Sequence, residues 1–206
     1  MRRLILGGTR VVGRHLLDAA LAGGHQVTRF NRGQSLAGGA AVLPAGVTWL
    51  QGDRDADVSA LASPAGAGGH WDAVVDTCAY LPAQALRMAQ ALAGRVGRYL
   101  LISSVSAYAS AAQANPEDAP LGTLPDPDTT VVDSRSDGPL KALCEATVLQ
   151  QIGTERTPSV RPPCWLRWAD PPDLPRRCWR ASARHQGRSS NSVEPSALSC
   201  TRWICG

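Results

Sequence analysis

The chain has 206 residues, 44% of them hydrophobic, and a formal net charge of +4. That is enough apolar chain for one substantial packed domain, and it excludes a disordered or fibrous protein. No run approaches the length of a membrane-spanning helix, and Met1-Arg2-Arg3 opens no secretory signal, so a cytoplasmic protein without a membrane partner is expected.

In chain order, Arg2–Leu6 is a short apolar strand that runs into Gly7 and Gly8. Apolar residues at positions 12, 16, 17, 20 and 21 have helical spacing, which predicts a helix over Val12–Leu21 ended by Gly23-Gly24. Gln26–Phe30 and Val47–Gln51 read as the second and third strands, with a Gly/Ala-rich loop from Gly33 to Gly46 between them. Asp72–Asp76 is a fourth strand, and Pro82–Leu92 a helix with proline in its first turn. Arg98–Ser103 is a fifth strand, and Pro139–Ile152 a further helix. Strands alternating with helices of about ten residues imply βαβ units, hence a doubly wound parallel α/β sheet. Ligands of such sheets bind beyond the carboxyl ends of the strands, where the strand order reverses.

The stretch LILGGTRVVGRHLL at positions 4–17 lies at that kind of place. Gly7 and Gly13 hold the first and last positions of a G-x-x-G-x-x-G spacing, and Arg10 stands in the middle one. Backbone N–H groups at a helix start attract a pyrophosphate, and glycines let it come close. Arg10 keeps its N–H and can lay a guanidinium along a phosphate. The bland alternative is a strand–helix turn that merely needs glycine.

The segment LILGGTRVVGRHLLDAALAGGHQVTRFNRG resembles the amino terminus of the NAD(P)-dependent epimerase/dehydratase family, the extended and atypical short-chain dehydrogenases/reductases, in their GGTR-type branch. QGDRD at 51–55, VVDTCAY at 74–80, ISSVSAY at 102–108 and GPLKALCE at 138–145 match in the same order, so the resemblance covers about residues 1–160. It implies a Rossmann-type NAD(P)-binding domain, with Gly7, Gly8, Thr9, Arg10, Val12 and Gly13 around the pyrophosphate. Asn31 and Arg32 would flank the adenosine ribose, Asp53 and Arg54 would lie on the adenine side, and Cys78 and Ala79 would pass close to the cofactor. An acidic residue after the second strand suits the free 2′-hydroxyl of NAD, whereas arginine suits a 2′-phosphate, so Arg32 points to NADP, with NAD as the alternative. Arg32 could equally be a solvated arginine, and GDRD a polar turn.

The resemblance also implies catalysis by a Ser, a Tyr and a Lys in Tyr-x-x-x-Lys spacing. Ser104 matches the serine and Lys141, the only lysine of the chain, the lysine. Asp137 stands in the tyrosine position. Helical spacing would bring Asp137 and Lys141 together. A carboxylate with an unperturbed pKa of ~3.9 beside an ammonium stays ionised and donates no proton at neutral pH. Either Tyr108, Tyr80 or a substrate hydroxyl supplies the proton, or the usual chemistry is absent. Asp137 before Pro139 also suits a plain helix start.

The composition changes near the end. Residues 1–157 carry 13 Lys/Arg against 14 Asp/Glu, and residues 158–206 carry 8 against 3. Four of six Trp and four of six Cys fall in that last stretch. Ser159–Pro162 still resembles the family's sixth strand, and residues 161–206 read as an irregular basic tail rather than a folded domain. Arg, Pro, Trp, Cys and Ser are what shifted GC-rich codons give, so the tail reads as truncation by frame-shift; the alternative is a nucleic-acid-binding tail. Its cysteines lack C-x-x-C spacing, and no zinc site is expected. Three functions follow: an NAD(P)-dependent oxidoreductase or epimerase acting on a small carbonyl or nucleotide-sugar, a cofactor-binding remnant without catalysis, or an RNA-associated protein. Nucleic acid is the least expected partner.

Overall fold

A computed structural model describes residues 1–34, 43–62, 70–110, 112 and 114–162. The basic tail from residue 163 onward and most of the Gly/Ala-rich loop lie outside the described residues. The elements are β1 (Arg2–Leu6), α1 (Val11–Ala22), β2 (Gln26–Asn31), β3 (Val47–Gln51), β4 (Trp71–Asp76), α2 (Pro82–Leu92), β5 (Val96–Ile102), α3 (Asp137–Ile152) and β6 (Ser159–Val160). All described strand pairs are parallel, in the order β3-β2-β1-β4-β5-β6. The order reverses between β1 and β4, and the point past Leu6 and Asp76 is where doubly wound sheets take their ligands.

A strand covered on both faces reads as an unbroken apolar run, and Leu4, Ile5 and Leu6 are all buried. Alternate residues divide between two cores. Leu4, Leu6, Val74, Tyr99 and Leu101 pack with Met88 and Leu92 of α2 and Cys144 and Val148 of α3. Ile5 and Val27 pack with Leu17 and Ala20 of α1. Burial of these stripes holds α1 and α3, which have no side-chain N-cap bond, while at α2 Gln84 Oε1 accepts from Leu81 N.

The expected elements are present; Arg2–Leu6, Val47–Gln51 and Pro82–Leu92 keep their expected ends, and the others are displaced by one or two residues. β5 starts at Val96 and stops at Ile102, and α3 starts two residues before Pro139. Proline is harmless there, because the N–H it lacks belongs to a first turn that has no intrahelical acceptor. Among the described residues no helix is long and apolar enough to cross a membrane.

Candidate functional site

The turn after β1 is built by contact between backbones. Gly7 and Gly8 have φ of +93° and +75°, the left-handed region that favours glycine. A Cβ on Gly7 would lie 2.7 Å from Thr77 Oγ1 and 2.9 Å from Cys78 Sγ, at the end of the neighbouring β4. A Cβ on Gly13 would lie 2.5 Å from the Cα of Gly8. The two outer glycines therefore bring β1, β4 and α1 into one close junction, which Thr77 ties by donating from Oγ1 to the Leu6 carbonyl at 2.8 Å. Arg10 is the extended residue before α1, exposed, with no side-chain cap; the first turn of the helix, Val12 included, holds no acid. Thr9 lies half-buried between them. The first-turn N–H groups and the helix dipole are left for an anion.

At the end of β2, Asn31 serves as a strut. Its Nδ2 donates to the Gly7 carbonyl at 2.9 Å, and its Oδ1 accepts from Gly33 N and Trp49 Nε1. Arg32 is exposed beside it, its carbonyl accepting from Gln51. The feature that pattern reading undervalued is Arg29. It is 6% exposed, its Nε has no partner, and burial lowers its pKa. Its Cδ would lie 3.3 Å from a Cβ on Gly8, so its stem passes directly beneath the glycine turn.

The GDRD stretch is a polar turn with a buried arm. Asp53 Oδ1 accepts from Asp55 N at 2.9 Å, closing the turn. Arg54 faces inward, donating to Asp76 Oδ2 at 2.7 Å and to Cys78 Sγ at 3.4 Å. Asp76, fully buried, also accepts from Tyr99 Oη at 2.7 Å and from Cys78 N. Burial works against its charge, but Arg54 and these donors hold its carboxyl below the usual range. Burial and the Asp76 carboxylate push the Cys78 thiol up to about 11, so it stays a thiol. Sequence reasoning missed Asp76 and Tyr99; an aspartate closing an otherwise apolar strand was the available signal, since a buried charge needs a partner.

The third group lies where α3 meets the end of β5. Ser104 Oγ accepts from Ser106 N at 3.1 Å and lies 2.7 Å from Ser106 Oγ, so the two hydroxyls share one hydrogen bond. Ser106 Oγ in turn reaches Asp137 Oδ2 at 3.4 Å. A Cβ on Gly138 would overlap the Ser106 carbonyl oxygen, so only glycine lets α3 start against this turn. The expected meeting of Asp137 with Lys141 does not occur. Lys141 is buried and donates from Nζ to the Ala79 carbonyl at 2.7 Å, with Nζ 4.4 Å from the Tyr80 ring centroid. Asp137 is the first helical residue and its carboxylate turns to Ser106. A buried ammonium takes the nearest inward acceptor, and the i,i+4 rule describes solvated helix faces. The other candidate phenol, Tyr108, lies under the Arg161 guanidinium at 4.7 Å. No group of His, Cys, Asp and Glu among the described residues is arranged to hold a metal ion.

Together these features define a Rossmann-like α/β fold with a glycine-lined crossover at its switch point. No family model and no curated protein sequence matches the chain. Solved structures do. The enzyme WbmG of Bordetella bronchiseptica, crystallised with NAD and UDP, superposes with a TM-score of 0.61 at 22% identity, over 78% of this chain and 52% of that one. A UDP-galactose 4-epimerase gives 0.59 at 20%, over 78% and 55%. UDP-glucuronic acid 4-epimerase from Bacillus cereus, crystallised with UDP-glucuronic acid and NAD, gives 0.57 at 14%, over 78% and 56%. The chain spans about half the length of these structures, and at such identities the likeness establishes the fold.

Proposed function

We propose that the chain is an NAD(P)-binding oxidoreductase or epimerase of the epimerase/dehydratase kind, acting on a small carbonyl or nucleotide-sugar substrate. The observation that carries this reading is the Gly7–Gly8–Gly13 junction. It aims an acid-free helix start with an exposed Arg10 at the crevice where doubly wound folds take a dinucleotide. The likeness to structures crystallised with NAD, a UDP-glucuronic acid 4-epimerase among them, supports it.

In this reading Gly7, Gly8, Thr9, Arg10, Val12 and Gly13 hold the pyrophosphate, and Asn31 keeps the turn in place from β2. Cys78 and Ala79 line the path beside it. Asp53 shapes its loop, and Arg54 braces that loop against β4 rather than touching adenine. Arg29, buried with its Nε unpartnered, and the exposed Arg32 after the same strand favour the 2′-phosphate of NADP. When bound, the nicotinamide supplies or accepts a hydride. Ser104 donates to the substrate oxygen, and Lys141 places a positive charge beside the reacting groups. A second reading, dinucleotide binding without turnover, is favoured by Asp137 standing in the position of the tyrosine that the resemblance implies. Fluorescence titration with NADPH and NADH, followed by turnover on a panel of small carbonyls and UDP-sugars, separates the two. Failure to bind either dinucleotide would refute both.

A further inference from the structure

Reduction of a carbonyl needs a proton for the oxygen that gains charge, and neither Asp137 nor the buried Lys141 is placed to give one. The chain has three tyrosines. Tyr99 is completely buried, with its hydroxyl committed to Asp76. Tyr108 is covered by Arg161, which is itself paired with Glu145. Tyr80 is different: it is 45% exposed, and its hydroxyl makes no hydrogen bond among the described residues.

Its placement is nonetheless fixed from three sides. Gln84 Oε1 accepts from the Tyr80 backbone N at 3.1 Å, the preceding carbonyl accepts from Lys141 Nζ at 2.7 Å, and that same ammonium sits 4.4 Å over the ring. Lys141 is one helical turn, about 6 Å along the axis, from Asp137, which reaches the Ser104–Ser106 pair. The α3 helix thus carries both the ammonium that packs on the Tyr80 ring and, one turn earlier, the carboxylate that reaches the Ser104–Ser106 turn. We propose that Tyr80 is the proton donor of this site, paired with Lys141 across the fold instead of along one helix.

The assignment rests on reading the site as a nicotinamide oxidoreductase. In the reduction, the Tyr80 O–H gives its proton to the substrate oxygen as the carbonyl carbon takes the hydride of the reduced nicotinamide. The phenolate left behind lies with its ring under the Lys141 ammonium and recovers a proton from water. In the reverse direction the phenolate takes the hydroxyl proton. The charged and titratable groups around the phenol are Arg10 before α1, Arg54 after β3, Cys78 on its own loop, and Asp137 and Lys141 on α3. Burial and the neighbouring Cys78 raise its pKa, so it holds its proton at neutral pH until the substrate oxygen takes it.

The test compares Tyr80→Phe, Tyr108→Phe and Lys141→Met in the full chain, with two readouts. In the unliganded protein, ultraviolet phenolate titration assigns the Tyr80 transition as the one lost in Tyr80→Phe, and Lys141→Met shifts that transition upward. In the loaded protein, Tyr80→Phe keeps the NADPH Kd within about threefold while kcat falls by about 10²–10⁴-fold, the usual contribution of a general acid. An unmoved transition in Lys141→Met, or a kcat loss carried by Tyr108→Phe instead, would overturn the assignment. A wild-type protein that binds NADPH and turns over nothing also overturns it, while leaving dinucleotide binding standing; a protein that binds neither dinucleotide overturns both.

Discussion

Replacing Gly13 by alanine tests the junction most directly, because its two effects have opposite signs. Gly13 is inside α1 with ordinary helical backbone, where alanine is worth about 1 kcal/mol more than glycine if there is room. Here there is none: the new Cβ would lie 2.5 Å from Gly8 Cα and 2.9 Å from Gly8 N, against ordinary carbon contacts of about 3.5 Å. Gly8 is backbone at that point and cannot swing away as a side chain can. The turn must move by roughly 1 Å, and a donor shifted that far from a phosphate oxygen no longer makes a hydrogen bond. Hydrogen bonds to charged groups contribute about 1.5–3 kcal/mol, so losing one weakens dinucleotide binding about 10- to 150-fold. Overpacking costs about 1–3 kcal/mol, so stability should fall or stay level instead of rising. Thermal melts and NADPH titration of Gly13→Ala give both numbers. A variant that melts higher and binds as well as wild type would show that the junction is only a turn.

Asp76→Asn leaves Arg54 buried without its counter-charge and should cost about 3–5 kcal/mol in urea unfolding. Because the folded Asp76 carboxyl is held below its unfolded value of ~3.9, its contribution is complete above about pH 4 and disappears as the pH falls through the depressed value; acid unfolding of wild type should show this, and Asp76→Asn should lack it. Arg29→Ala should remove most of a tenfold or greater preference for NADPH over NADH, worth ~1.4 kcal/mol; equal titration curves for both cofactors in wild type would refute it. Gly138→Ala should displace the start of α3 from the Ser106 carbonyl, destabilise the fold by at least ~1 kcal/mol and lower turnover through Lys141 and Ser104, as melts and kinetics would show.

Strands and helices were legible where burial alone decides them. Leu4–Leu6 and Val74–Val75 are apolar runs between glycine or polar breaks, and Pro82–Leu92 begins and ends where its sequence says. The glycine junction was legible too, since Gly7 and Gly13 have a spacing with a physical cause. The partners of charged residues were not. Arg54 meets Asp76 at 22 residues' separation, through the crossover between β3 and β4, and no local periodicity encodes that. Lys141 defeated the spacing rule for the same reason: the Ala79 carbonyl, 62 residues away, is a nearer acceptor for an inward-facing ammonium than Asp137. Arg29 sits in β2, QVTRFN, where it reads as an ordinary strand residue. That it is buried with Nε unpaired is something only packing reveals.

The reversal of strand order has a consequence for how the chain is made. β1 leaves synthesis first, yet one of its two edges pairs with β4, some seventy residues later, through Arg3↔Ala73 to Leu6↔Asp76. Until residue 76 has emerged, the Leu4-Ile5-Leu6 run carries an open backbone edge, and the core beneath Leu4 and Leu6 has neither α2 nor α3 to cover it. Parallel pairing of this range is slow because the loop must close before any contact rewards it. The same placement that puts the crevice at the middle of the finished sheet therefore makes the first strand the segment most exposed to misassociation during folding.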